Sequence, residues 1–230
     1  MTTDSVSGVS WTEHAADQSP LVQRSRSRTL RQMKILVEAA KRLVVDKDSR
    51  FTTQEVAKEA GMALQTFYRY FSGKDQLLIA VIEDLITEQV RRLEDATRDV
   101  ADPMERLRRH VTDTVSLIDA GGEVASASRF IASERSRLHR QYPGDLRRAT
   151  QPFASLIARE LRAARDAGLI ATTDIDQDAA LVARIVMATY HEYAFTEHEE
   201  SVETITEHLW DFCLRGIGSS RNRSRTTPTG

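Results

Sequence analysis

Apolar residues along most of the chain recur at intervals of three and four, and the strict alternation of a half-buried strand is absent, so the pattern predicts helices almost throughout. A first helix is expected from about Thr29 to Asp46, with Met33, Leu36, Ala39, Ala40, Leu43 and Val44 on its inner face. A second, of only about two turns, begins at Thr53, whose side chain has capping character, and stops before Gly61 with Val56, Ala57 and Ala60 turned inward. A third short helix covers about Leu64 to Tyr70. The run SGKDQLL then opens a long helix, to about Val100, whose apolar side is Leu77, Leu78, Val81, Ile82, Leu85 and Ile86. Breaks at DAGGE, QYPGD, DAGLIATTD and TEHEE separate further helices at about Pro103 to Ala120, Val124 to Gln141, Gly144 to Ala167, Ile175 to Phe195 and Glu200 to Gly216. The polar, aperiodic ends, residues 1–27 and 219–230, read as a disordered basic arm and a disordered tail.

Charge changes this picture in one respect. The formal net charge of −2 conceals an asymmetry: residues 24–74 hold twelve Lys or Arg against five Asp or Glu, whereas residues 75–218 hold seventeen against twenty-six. All five lysines, Lys34, Lys41, Lys47, Lys58 and Lys74, fall in the basic block. A compact basic unit joined to a larger acidic one implies that the first meets a polyanion.

No apolar run approaches the eighteen or so residues of a membrane span, and the first thirty residues carry no signal-peptide pattern, so a cytoplasmic protein with no membrane partner is expected. The one cysteine, Cys213, excludes an intramolecular disulfide and a multi-cysteine zinc site, and reads as a small apolar residue within a helix.

The chemistry concentrates in GMALQTFYRYF, residues 61–71, where only Arg69 interrupts the aromatics between Phe67 and Phe71. Two short helices joined by a tight glycine-containing turn form a helix-turn-helix, whose second helix enters a major groove. Phe67 and Phe71 pack inward with Val56, Ala57, Met62 and Leu36, which leaves Gln65, Tyr68, Arg69 and Tyr70 for phosphates and base edges. The arm arginines Arg24, Arg26 and Arg28 are candidates for the minor groove or phosphates, and equally for a solvated tail.

The segment TTQEVAKEAGMALQTFYRYFSGKDQLLIAVIE closely resembles the DNA-binding segment of the TetR family of bacterial transcriptional regulators, in helix order, in its AG turn, in the run of aromatics after the threonine and in the following K-D-x-L-L. The resemblance implies an all-α fold: a three-helix helix-turn-helix DNA-binding domain over residues 28–75, then a helical ligand-binding and dimerisation domain over residues 76–218. It further implies a homodimeric repressor of a palindromic double-stranded DNA operator, released by a small, largely apolar or amphipathic effector. Carried over by position, Thr53 contacts phosphate, Gln54 faces DNA, Leu64, Gln65, Thr66, Arg69 and Tyr70 lie on the groove side, and Tyr68 and Lys74 meet phosphates. Two positions depart from the family pattern. Ala63 stands where a capping Ser or Thr is common, and Gln65 stands where Gly or Pro is common, which places a longer polar side chain at the groove.

The last two predicted helices each carry two apolar stripes, and a helix apolar on both sides is buried on both sides. Val182, Val186, Tyr190, Ile205, Leu209 and Phe212 are assigned to a two-fold interface between subunits; Leu181, Ile185 and Ala188 form the alternative stripe on the same helix. The effector pocket is assigned to Met104, His110, Val111, Thr114, Phe130, Phe153, Ile157, Tyr190 and His191. Six arginines between Arg129 and Arg148 suit either an anionic ligand or a solvated face. No phosphate-binding glycine loop, nucleophile elbow or zinc-protease helix occurs, so neither an enzyme nor a cofactor is expected. HEYAFTEHEE has no common metal-ligand spacing, and no metal is assigned there. The competing reading is a helical ligand-binding or protein-interaction module whose affinity for DNA is only electrostatic.

Overall fold

A computed structural model describes residues 19–47, 50–117, 122–196 and 199–218. The tail from residue 219 and the first eighteen residues of the arm lie outside the described residues. Among the described residues the elements are nine helices: α1 (Pro20–Lys47), α2 (Thr53–Glu59), α3 (Leu64–Tyr70), α4 (Lys74–Ala96), α5 (Pro103–Ser116), α6 (Gly122–Gln141), α7 (Pro143–Asp166), α8 (Ile175–Phe195) and α9 (Val202–Gly216).

The all-helical expectation holds, with shifts of a few residues at several helix ends, of which three bear on the site. First, α1 starts at Pro20 rather than Thr29, so residues 20–27 are helical and not part of a disordered arm. Pro20 suits the first helical position, where its missing N–H has no partner to lose. The side chains from Pro20 to Arg28 are all exposed, which is why no apolar period betrays this extension. Second, the cap of α2 is Thr52 rather than Thr53: Thr52 accepts from the Glu55 N–H at 3.2 Å, and the Glu55 carboxylate accepts from the Thr52 N–H at 2.7 Å. Third, α4 ends at Ala96 and α5 at Ser116, short of Val100 and Ala120.

Helices α1, α2 and α3 close around Leu36, Phe51, Val56 and Phe67, and the first turns of α4 add Leu77 and Leu78 to the same buried cluster. The proposed boundary between residues 75 and 76 therefore falls inside α4, which the two parts of the molecule share. Beyond the head, α7 is the central helix, packed against α4, α5, α6 and α8, while α9 lies on α5. Leu156, Ile157 and Leu161 of α7 are almost wholly buried. Cys213 is buried in α9, and burial pushes its thiol up to about 11, as the structural reading requires.

One carboxylate is sunk into this packing. Glu160 of α7 is 3 % exposed, accepts from Arg106 Nε of α5 at 2.7 Å and from its neighbour Arg159 at 3.2 Å. Arg106 also donates to the carbonyls of Val100 and Ala101, tying the α4–α5 turn to the same point. Burial alone would raise the Glu160 pKa; the His110 imidazole beside it and the guanidiniums of Arg106 and Arg159 override this and hold it down at about 2. The His110 ring is itself fully buried, with its Nε2 3.9 Å from Glu160, beyond hydrogen-bonding reach.

Candidate functional site

The turn between α2 and α3 fixes how α3 is presented. The Met62 N–H donates to Ala57 O at 2.8 Å and the Gly61 N–H to Lys58 O at 3.1 Å, the paired bonds of a Schellman motif. Gly61 carries the left-handed conformation this demands, with φ of 65°. Its departing chain enters α3 at Ala63, which provides no side-chain cap.

Phe67 is the anchor of α3, fully buried, edge-on to Tyr68 with ring centroids 5.2 Å apart. At about 100° per residue, Gln65 and Arg69 fall on the opposite side of the helix. Both are exposed, and neither bonds to any described residue. Tyr68 is 52 % exposed, and its hydroxyl lies 3.2 Å from the hydroxyl of Thr53 at the start of α2. Gln54 next to it is exposed and Thr66 half-buried. Leu64 and Tyr70, expected on the groove side, instead flank Phe67 and pack half-buried against the core. Lys74, in the first turn of α4, is half-buried with its ammonium 4.8 Å from the centre of the Phe51 ring. Burial lowers its pKa from the usual lysine value.

A cavity of about 1560 Å³ opens between α1, α4, α6, α7 and α8. Its apolar wall includes Ile86, Ile131, Phe153 and Met187; Thr114, Ser128 and Tyr190 bring hydroxyls; Arg135, His139 and Arg184 bring basic groups. At the α1–α4 end, Lys41 lies 2.7 Å from both Asp84 and Glu88 and 3.6 Å from Glu38. These three carboxylates are grouped closely enough to hold a cation, and the Lys41 ammonium already serves as one. On the far side of α6 from Arg135, Arg137 donates to Glu134 at 2.8 Å and reaches Asp75 in the first turn of α4 at 2.7 Å. One helix thus touches both the cavity and the element that follows α3.

The sequence pattern described as "Bacterial regulatory proteins, tetR family" matches residues 36–81, the span from the middle of α1 through α3 into α4. The HTH-type transcriptional regulator EthR of Mycolicibacterium smegmatis is 25% identical over 183 residues, which cover 78% of this chain and 84% of that protein. Residues 36–81 therefore carry the DNA-binding pattern of the TetR family. A second relative, the uncharacterized HTH-type transcriptional regulator Rv1255c of Mycobacterium tuberculosis, is 29% identical over 114 residues, covering 43% of this chain and only 56% of that protein. Among solved structures, RolR in complex with resorcinol superposes with a TM-score of 0.68 at 18% identity over 89% of this chain and 98% of that one. The transcriptional regulator FadR from Bacillus subtilis in complex with stearoyl-CoA gives 0.60 at 16% identity, over 80% and 98%. At these identities the likeness is one of fold.

Set on this fold, the residues assigned from sequence divide sharply. Thr53, Gln54, Gln65, Thr66, Tyr68 and Arg69 lie together on the α2–α3 surface; the adjacent Thr52 is the cap of α2, signalled by its T-x-x-E spacing to Glu55. Of the pocket residues, Thr114, Phe153, Tyr190 and His191 line the cavity. Val111, Phe130 and Ile157 are fully buried core, His110 adjoins Glu160, and Met104 lines a separate small cleft beside Trp210. Five of the six interface residues, Val182, Val186, Tyr190, Ile205 and Leu209, are buried within the subunit. What α8 and α9 leave outside is Leu181 at 50 %, Phe195 at 50 % and Phe212 at 57 % exposure, with Ala188 and half-buried Ile185 between them. Glu197 and His198 lie outside the described residues. Among the described residues no helix is long and apolar enough to cross a membrane.

Proposed function

We propose that this TetR-family chain is a transcriptional repressor that binds a palindromic operator as a homodimer and is released by a small effector held in the cavity between α1, α4, α6, α7 and α8. The observation that carries the reading is the pair Gln65 and Arg69, without a bonding partner among the described residues and directed away from buried Phe67. In a major groove, glutamine pairs bidentately with adenine and arginine with guanine. Thr53, Tyr68 and Lys74 take phosphates, and Gln54 and Thr66 border the groove.

The subunits meet through the outer stripe of α8 and α9, Leu181, Ile185, Ala188 and Phe212, an isologous contact that sets the spacing of the two α3 helices. Effector binding reaches the head through α6, whose Arg135 and His139 face the cavity and whose Arg137 holds Asp75. A coupling of about 1 to 3 kcal/mol is the scale such a device supplies.

The test is an in-vitro binding-site selection with wild-type protein, Gln65→Ala and Arg69→Ala. Each variant is expected to lose about 1 to 3 kcal/mol on the best operator and to relax its preference at particular base pairs. A selected sequence that is the same for all three proteins refutes the base-reading assignment, and no selection by wild type leaves only electrostatic binding.

A further inference from the structure

The cationic groups of the cavity are not equivalent. Lys41 is matched by Asp84 and Glu88, and Arg42 by Glu59 at 2.7 Å. Arg135 of α6 and Arg184 of α8 line the same cavity, and no carboxylate of the described residues lies within ion-pairing distance of either. Burial, and after it the like charge of Arg184, depresses the Arg135 pKa. Two guanidiniums of like charge, Arg135 half-buried and Arg184 exposed at the cavity's edge, leave a deficit of one negative charge there. A neutral ligand leaves that repulsion in place, a cation adds to it, and a carboxylate removes it while accepting forked hydrogen bonds from a planar donor.

The rest of the cavity gives the ligand a direction. Glu38, Glu88 and Asp46 line its α1–α4 end, and Glu123 and Glu192 line it at the first turn of α6 and the last turn of α8, so an anionic group is favoured at Arg135 and Arg184, in the middle of those two helices, over the α1–α4 end. Ile131, Phe153 and Met187 offer an apolar path between the two. The volume of about 1560 Å³ exceeds the roughly 300 to 1,000 Å³ usual for small-molecule sites, which leaves room for an extended apolar body.

We propose that the cavity binds an amphipathic organic acid, its carboxylate seated between Arg135 and Arg184 and its apolar chain along Ile131, Phe153 and Met187. The proposal rests on reading this cavity as the effector site. It is tested on the full-length protein without DNA, so it stands or falls separately from operator recognition.

Calorimetric titrations with decanoate, decanol and decylamine compare one chain under three head groups. Decanoate is expected to bind more than about tenfold tighter than decanol, with decylamine weakest. Arg135→Met with Arg184→Met should bring decanoate down to the affinity of decanol while decanol itself changes less than about threefold, because only the charge-specific contribution is removed. Arg135→Lys, which keeps the charge, should retain a preference for decanoate and guards against a loss caused by misfolding. The proposal is overturned if decanoate does not bind, if decanol binds wild type equally well, or if the preference survives the double substitution. It is also overturned if Arg184→Met splits the dimer in sedimentation while leaving the decanoate preference intact, which would assign Arg184 to the subunit contact.

Discussion

Replacing Glu160 by Gln keeps the shape of a buried side chain and removes only its charge, so it isolates what the α5–α7 ion cluster contributes. With the carboxyl held at about 2, against 4.5 for an unburied glutamate, the folded state favours the ionised form more strongly than the unfolded chain does. At roughly 1.4 kcal/mol per pH unit, that difference comes to about 3 kcal/mol. The sign follows from the depressed folded-state pKa: the stabilisation is fully present above about pH 4.5 and is lost as pH falls through about 2. Glu160→Gln should therefore lower unfolding free energy by about 3 kcal/mol at pH 7, and by only about 1 kcal/mol at pH 3, where wild type has lost much of the same contribution. Urea titrations followed by circular dichroism at both pH values measure the gap. A variant as stable as wild type at pH 7, or a gap that does not narrow at pH 3, would refute the account of Glu160 as a charge stabilised by Arg106, Arg159 and His110.

Ala63→Ser supplies the cap that α3 lacks and should raise stability by about 0.5 to 2 kcal/mol, read as a higher urea midpoint; no change would mean that the Ala63 backbone does not present a serine hydroxyl to the first turn. Tyr68→Phe removes the hydroxyl beside Thr53 and should weaken binding to every DNA sequence alike, by about 1 kcal/mol; a changed base preference in binding-site selection would move Tyr68 out of the phosphate class. Phe212→Glu and Leu181→Glu alter side chains already exposed in the subunit, so sedimentation equilibrium should show folded monomers, whereas Leu209→Glu should unfold the subunit; folded dimers of both exposed-site variants would place the interface elsewhere.

Local signals in the chain carried the head almost completely. The two short helices, the Gly61 turn and inward-facing Phe67 follow from spacing and from the one residue type that accepts a left-handed turn, and Gln65 and Arg69 follow from lying four apart, opposite the anchor. The Thr52 cap was legible too, since Glu55 at the third helical position favours it over Thr53. Helix α8 shows where periodicity stops. It carries apolar residues on both sides, and the choice between Val182–Val186 and Leu181–Ile185 depends on how α7 and α5 pack against it, which no single helix encodes. The cavity was hardest for the same reason. Phe130 and Phe153 look alike along the chain, yet one is core and the other wall, and the juxtaposition of Arg135 with Arg184 joins residues forty-nine positions apart.

The exposed opening turns of α1 bear on the thermal behaviour of the whole chain. From Pro20 to Arg28 every side chain is exposed, so ordering that backbone sacrifices about 1 to 2 kcal/mol of conformational entropy per residue with no apolar burial in return. Helical segments of this length are marginal in water. Helix content there should decline gradually on warming, giving far-ultraviolet dichroism a sloping baseline well before the cooperative loss of the core around Leu36 and Phe67. Amide protons in those turns should exchange with solvent almost as fast as in an open chain, while those of Ala39 and Ala40 in the same helix exchange only when the head unfolds.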